Sequence, residues 1–520
     1  MSSSLRSELV SPIYFMEQIP SKINKEKYEN FIKKIKLEQY EKVSNLLDIC
    51  GKSKSALIDY LLFLIQKKKE YYINSGRILI YIKPNNYEEI KEYFSLQDWC
   101  QKTYIKSMQD WPSHIYSFTH NVFSKMNDEN KDQCISIIGK KNSGKSFNVN
   151  KIIQYLFFLT TKDESNKESY NIVSNSIKIM ELIGRIFKDD NIKCNVSGFT
   201  YHIGFKSNEI VKFDIDSEIL DLTLPFSEDG RTFMLLHGFI LTHQEKLDLE
   251  NVRLNFFKKY YKNYYDNKDN EDLLLYYNEN DIQQFNEFIE LCFKIMNENE
   301  LICVLNILYN IILLNEVTIL KSKGKVHYQS VDEYYINDDI IITKICTLMG
   351  IDKNKFLDIF VSKNKNRTLS LHQHKCILIS LMKYSYYCLH DFILKKVKIY
   401  IKNYFNNIQQ KKIEDQDEDE KQNEIRYIHI IDFPGEIKDQ SLGGLSINYS
   451  NECLNLFSMS NYTSMISCLE KNNIRLKKFQ SPLPYELMKS LIDDNGLLTF
   501  IQSYNIYDNI EKVNKLINFI

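Results

Sequence analysis

Cys134-Ile135-Ser136-Ile137-Ile138-Gly139-Lys140-Lys141-Asn142-Ser143-Gly144-Lys145-Ser146 is an apolar, strand-like run that passes directly into Gly-x-x-x-x-Gly-Lys-Ser. That pattern is a phosphate-binding loop, and each residue type in it has a physical reason. Gly139 and Gly144 let the backbone curl, so that the amides along Lys140, Lys141, Asn142 and Ser143 point inward at phosphate oxygens. Lys145 is placed to reach the β- and γ-phosphates, and the Ser146 hydroxyl suits a magnesium ion. A helix-compatible stretch, Asn148 to Phe158, follows and turns its N-terminal dipole toward the anion. The ligand class implied is a nucleoside triphosphate. The alternative is a tight strand-to-helix turn that binds nothing.

The next informative stretch lies more than half the chain away. Tyr427-Ile428-His429-Ile430-Ile431 is a second buried-type strand, and it runs into Asp432-Phe433-Pro434-Gly435. Where a phosphate loop is present, a strand ending in Asp with Gly three residues on senses the terminal phosphate. The Asp orients magnesium through water, and the Gly amide bonds a phosphate oxygen. Pro-Gly alone is a common turn, so the spacing carries the information: a large insert separates two strands of one sheet. No Asn-Lys-x-Asp guanine-reading motif occurs.

Composition sets the frame. The 520 residues are 43% hydrophobic and 26% charged, ordinary values for a globular protein with a substantial core and two to four lobes. A net charge of −1 gives no sign of general nucleic-acid or anionic-membrane binding. The start, Met-Ser-Ser-Ser-Leu-Arg-Ser-Glu, lacks the apolar core of a secretory signal. Leu301 to Leu314 is apolar but interrupted by Asn306 and Asn310, and is too short for a membrane span. Eleven cysteines without CxxC spacing suit a reducing, cytoplasmic setting and not a metal site.

Hydrophobic periodicity predicts a helix over Leu57 to Lys69, a strand over Arg77 to Ile82 stopped by Pro84, and a helix from Ile172 to Phe187. Phe199 to Phe205 and Ile210 to Ile215 read as a hairpin around Lys206-Ser207-Asn208. From Glu228 to Phe405 the pattern is helical almost throughout, notably Asp281 to Met296, Leu301 to Leu314, Ile340 to Met349 and Leu371 to Phe405. The acidic run Glu414 to Glu420 reads as a solvated loop. Tyr260, Tyr261, Tyr264 and Tyr265 among lysines fit a solvated helix better than a base-stacking surface. His372-x-His374 has the wrong spacing for a helical metal site.

The layout resembles the myosin motor head. Ile447-Asn448-Tyr449-Ser450-Asn451-Glu452-Cys453-Leu454-Asn455-Leu456-Phe457, following Asp432 to Gly435, is similar to the start of that family's relay helix. Tyr72-Ile73-Asn74-Ser75-Gly76 through Pro84 resembles the segment leading to the adenine loop. Trp111 to Tyr116 resembles the Pro-Pro-His-Ile-Phe segment, and Lys151-Ile152-Ile153-Gln154-Tyr155 the Lys-Val-Ile-Gln-Tyr of the helix after the phosphate loop. All fall in family order.

The resemblance implies an α/β P-loop NTPase fold with a twisted, mostly parallel central sheet and large helical insertions. It divides the chain into a polar extension (1–45), a motor-like domain (46–510) with a helical upper lobe at about 228–410, and a short end (511–520). It implies ATP and Mg²⁺ as cofactors, held by Gly139 to Ser146, Asn195, Asp432 and Gly435, with Ser146 and Asp432 toward the metal. It also implies actin, or another cytoskeletal or scaffold protein, as partner.

The departures concern chemistry. Lys140 and Lys141 make the loop more positive than the family's Gly-Glu-Ser-Gly-Ala-Gly-Lys-Thr. The family's switch I aligns with Asn191 to Gly198 and lacks its two serines and its arginine, whose place falls on Val196. Switch II puts Glu436 at an aromatic position and Ile437 at the glutamate. The adenine-loop asparagine is Lys83. With both partners of the closing salt bridge gone, ATP binding with weak or absent hydrolysis is expected, and Val196→Arg with Ile437→Glu is expected to restore turnover. The chain also stops before the family's actin-binding helix-turn-helix, converter and lever, so a truncated head with weak actin contact is expected. The alternatives are a pseudo-motor acting as a nucleotide-regulated scaffold and an unrelated P-loop GTPase.

Overall fold

The computed structural model describes residues 40, 41, 43, 45–46, 54–84, 88–103, 107, 111–160, 165–187, 194–220, 232–243, 271–326, 329–336, 339–360, 369–413, 424–435, 444–445 and 447–455. Residues 1–39, Tyr260 to Tyr265, Glu414 to Glu420, Asn191 to Lys193, Glu436, Ile437, Leu456, Phe457 and 511–520 lie outside these. The chain divides into two compact units. One comprises 1–124 with 151–156, the other 125–150 with 157–520.

The first unit is built on aromatic packing. Helix α1 (Lys54–Phe63) runs on as a wider turn over Leu64–Lys68 and ends at Lys69, which adopts φ 57°. Its Tyr60, Phe63 and Leu64 pack with Tyr40, Leu46 and Ile73. Strands β1 (Tyr72–Ser75) and β2 (Ile78–Tyr81) form an antiparallel hairpin, turned at Gly76 with φ 63°. Next come helices α2 (Leu96–Thr103) and α3 (Ile115–Glu129).

At the start of α3, His114 is 1% exposed and lies flat on Trp99, ring centroids 4.4 Å apart. Its Nδ1 accepts from the Tyr116 amide at 3.3 Å and its Nε2 faces the Tyr93 carbonyl at 3.2 Å. One acceptor and one donor are what a neutral imidazole offers. Burial pushes this histidine down to about 3. The unfolded chain therefore takes up a proton below its usual pKa of 6.5 that the folded chain refuses, so stability falls as pH drops. Between pH 6.5 and 5 this group is expected to remove about 2 kcal/mol. Urea unfolding of wild type and His114→Asn at both pH values checks it. A wild-type loss no greater than the variant's would show that His114 is not the source.

The second unit holds the central sheet. Strand β3 (Gln133–Ile137) leads through the phosphate loop into α4 (Lys145–Leu159), and α5 (Ser165–Ile183) follows. The helix expected through Phe187 ends instead at Ile183. Gly184 closes its last turn, donating to the Met180 carbonyl at 3.3 Å. A Cβ at Gly184 would stand 2.1 Å from Ser197 Oγ, so only glycine fits. The chain turns there into β4 (Arg185–Phe187), which pairs antiparallel with β5 (Cys194–Asn195), Arg185 opposite Asn195.

Strands β6 (Ser197–Lys206) and β7 (Glu209–Ile219) form the expected hairpin. Ser207 (φ 48°) and Asn208 (φ 66°) make a two-residue turn with both centres left-handed, which matches strand twist. Then come β8 (Thr232–Phe233), α6 (Met234–His243), α7 (Glu271–Cys292) and α8 (Glu298–Glu316), the last started by an Asn297–Glu300 capping box. The helical region also contains a hairpin the periodicity did not predict, β9 (Ile319–Val326) with β10 (Gln329–Ile336). Helix α9 (Asp339–Met349), the 43-residue α10 (Leu371–Ile413) and β11 (Arg426–Asp432) complete the described elements used here.

The sheet order is β3-β11-β6-β7. Pair β3–β11 is parallel, while β11–β6 and β6–β7 are antiparallel. The expectation of a mostly parallel sheet is therefore corrected: among the described strands it is mixed. A hairpin with a two-residue turn enforces antiparallel pairing, and parallel pairing appears only where the chain returns after its long insert. Helix α10 packs against β7, α5 and α8 and buries Tyr386, Leu389, Ile393, Val397 and Ile401 at helical spacing. Each such burial stabilises by about 2 kcal/mol. Among the described residues no helix is long and apolar enough to cross a membrane.

Candidate functional site

Strands β3 and β11 end side by side, Asp432 opposite Ile137. At this carboxyl edge the chain after β3 curls. Asn142 takes φ 61° and Gly144 φ 90°, and the Ser143 amide donates to the Lys140 carbonyl at 3.2 Å. Lys145 Nζ reaches back over the loop to the carbonyls of Gly139 (3.0 Å) and Lys140 (3.2 Å). Asn148 Nδ2 donates to the Gly144 carbonyl at 2.8 Å and pins the start of α4.

The two distant motifs meet at Ser146, whose hydroxyl donates to Asp432 Oδ2 at 2.8 Å. Asp432 is 3% exposed. Burial raises its carboxyl to about 6, against the opposing pull of the Ser146 hydrogen bond and the Lys145 charge.

These groups open into a cleft of about 360 Å³, within the usual range for a ligand site. Of the sequence-predicted residues, Asn142, Ser143, Gly144, Lys145, Ser146, Asn195 and Asp432 line it. Gly139, Lys140 and Lys141 form the loop's first half, with Lys140 exposed. Gly435 sits against that half: a Cβ there would be 2.3 Å from the Lys140 carbonyl carbon, 2.4 Å from the Lys141 nitrogen and 2.6 Å from the Gly139 oxygen. Just beyond, Asn451 in the helix over residues 447–455 donates to the carbonyls of Pro434 (2.6 Å) and Ile447 (2.9 Å), tying that helix to the end of β11.

Val196 holds the place that aligns with the family's switch arginine. It is 2% exposed and does not line the cleft. Its amide donates to the Gly184 carbonyl at 2.9 Å and its carbonyl accepts from Leu220 at 3.0 Å.

Glu181, Arg185, Phe147 and Phe199 also line the cleft and escaped the sequence reading, as did a site role for Ser197 within the aligned switch I segment. Burial raises the Glu181 carboxyl, and the Arg185 charge acts against it. Arg185 donates to Gln284 Oε1 on α7 at 2.5 Å. Ser197 Oγ is buried with no hydrogen-bond partner among the described residues. The one local signal was Gly184, which breaks the helix between Glu181 and Arg185.

The histidine pair expected to be metal-free is split. His374 is buried, stacked near Phe360, with Nδ1 3.0 Å from the Ser370 carbonyl, while His372 Nε2 lies 3.5 Å from Cys376 Sγ. Lys83 is exposed in the first unit.

A strand, a curled loop carrying Lys and Ser, a helix, and a parallel neighbour whose terminal Asp meets that Ser define a P-loop nucleotide fold. Comparison with known families places it further, since the model of the myosin head (motor domain) matches residues 56–511. The chain belongs to that family. It is similar to Myosin-1 of Saccharomyces cerevisiae, 23% identical over 501 residues, which cover 88% of this chain and 24% of the yeast protein. Shorter stretches are similar to two Dictyostelium discoideum proteins. The Myosin-M heavy chain is 33% identical over 113 residues, 22% of this chain and 6% of that protein. The Myosin-I heavy chain is 31% identical over 118 residues, 23% and 5%. The chain thus spans about a quarter of the yeast relative's length and less of the other two.

Proposed function

We propose that the cleft binds Mg-ATP, and that this chain is a motor head whose hydrolysis is slow. The observation that carries the reading is the 2.8 Å contact between Ser146 Oγ and Asp432 Oδ2. It sets a hydroxyl and a carboxylate, the two oxygen donors a magnesium ion takes in such sites, directly beneath the curled loop. The Ser197 hydroxyl, without a hydrogen-bond partner among the described residues, supports the same reading, because a buried polar group calls for a partner and a phosphate oxygen would supply one.

The residues present fit the group. Ser146 and Asp432 would hold magnesium, and the loop amides from Lys140 to Gly144 with Lys145 would hold the phosphates. Bound magnesium supplies charge neutralisation at the transferring phosphoryl group. The protein's part is to position the nucleotide and keep Asp432 ionised, which Lys145 and Ser146 favour. Closure is where the site is deficient: Val196 is buried and carries no donor, and Ile437 carries no acceptor. Family membership makes actin the first partner to test.

The same deficiency favours a second reading, a cytoplasmic nucleotide-regulated scaffold that binds ATP without cycling.

Titration with fluorescent ATP and GTP analogues, with and without magnesium, tests binding. Micromolar or tighter ATP binding is expected, abolished by Lys145→Ala. A folded wild-type protein that binds no nucleotide would end the proposal. Turnover is expected below about 1 s⁻¹, against an order of 10 s⁻¹ for typical enzymes, and unchanged by actin filaments. Actin-stimulated turnover well above that would show that other residues close the site.

A further inference from the structure

Arg185 has no place in the roles assigned so far, yet it lines the cleft that contains Ser146 and Asp432. Three observations fix where its charge stands. In the β4–β5 ladder it is opposite Asn195, another lining residue. Its guanidinium donates to Gln284 Oε1 at 2.5 Å, and the Gln284 amide in turn donates to Asn280, one turn earlier on α7. The side chain is therefore held by an uncharged partner, with the Glu181 carboxyl of the same cleft close enough to feel its charge. That hydrogen bond uses Nη1, and a guanidinium has five N–H donors in a planar fork. Ser197 Oγ, buried and without a hydrogen-bond partner among the described residues, lines the same cleft.

We infer that Arg185 adds a contact to the terminal phosphate beyond those of Lys145 and Gly435, and so sharpens how this chain distinguishes a nucleoside triphosphate from a diphosphate. The inference rests on the reading of the cleft as a nucleotide site. The loop amides grip phosphates that ADP and ATP both carry, while Lys145 reaches the γ-phosphate as well, so Arg185 adds to a preference that Lys145 begins. A tethered guanidinium lining the same cleft adds a contact for one more anionic group, and a planar fork suits phosphate oxygens better than a point charge. Val196 is buried outside the cleft and has no donor to offer. The competing explanation is that Arg185 merely anchors α7 through Gln284. That role would affect folding stability and leave the ratio of ATP to ADP affinity untouched.

The test uses the full chain and measures dissociation constants for Mg-ATP and Mg-ADP analogues, with urea unfolding as the control. Arg185→Gln is expected to weaken ATP about 10- to 100-fold, the range for a charge-assisted hydrogen bond, and ADP by less than about 3-fold. Arg185→Lys is expected to recover part of the loss, keeping the charge without the fork. Gln284→Leu, which frees the guanidinium from its tether, is expected to lower the ATP preference with all cleft charges retained. If Arg185→Gln does not fold, the other two variants carry the test. Equal weakening of both nucleotides, or no change in either, overturns the inference while leaving the nucleotide site standing. Wild-type protein that binds neither nucleotide overturns the site itself.

Discussion

Alanine at Gly435 is expected to lower nucleotide affinity at least 100-fold while secondary structure is retained. The added methyl would stand 2.3 to 2.6 Å from three backbone atoms of the phosphate loop, in Gly139, Lys140 and Lys141. Backbone atoms cannot rotate away as a side-chain tip does. Relief requires the loop or the end of β11 to move by about an ångström, and a displacement of that size near a binding constellation is severe. Gly350 provides the control. It has φ +63° but nothing within 4 Å of an added Cβ, so Gly350→Ala should cost about 1 kcal/mol of backbone strain and no affinity. Titration with a fluorescent ATP analogue, beside circular dichroism, reads both. Near-normal binding by Gly435→Ala would mean that the loop yields far more easily than its packing indicates.

Val196→Arg is expected to destabilise the protein by about 3–5 kcal/mol and to restore no turnover. The alignment alone suggests the opposite, because it assigns this position the missing switch arginine. The side chain is 2% exposed, and both backbone polar groups are engaged with Gly184 and Leu220. A guanidinium there would have to be taken out of water, and burying a charge is costly. Urea unfolding measures the loss, and single-turnover assays measure the chemistry. A variant as stable as wild type that hydrolyses ATP faster would show that the segment swings this side chain into the cleft.

The phosphate loop was readable because its chemistry is local: backbone curl, one lysine and one hydroxyl in contiguous residues. The β6–β7 hairpin was readable because two strand-like runs flank a turn that tolerates left-handed centres. Asp432 was readable from its strand and the turn after it, although only the fold brings it to Ser146. Arg185 and Glu181 were not readable. Their role depends on Gly184 ending α5 early and on Gln284, far along the chain, reaching back. The β9–β10 hairpin was hidden because Lys321, Lys323 and Lys325 interrupt its apolar pattern between two long helices. The mixed sheet was misjudged for a related reason, since local patterns identify strands but not their neighbours.

The position of β11 has a consequence for what this chain can tolerate. Two ladders hold it, setting Asp432 opposite Ile137 on one side and Phe199 on the other. A slip of one residue would carry the carboxylate about 3.3 Å along the strand and turn it to the opposite face. Both ladders would have to break for that to happen, so the sheet acts as an anvil at the floor of the cleft. The rim is built differently, from the end of α5 and the short β4–β5 ladder in which Arg185 faces Asn195. Substitutions around the rim, at positions such as 185 or 195, can then retune which anion the cleft prefers and how tightly. The floor on which a cation would rest stays where the rungs of the sheet put it.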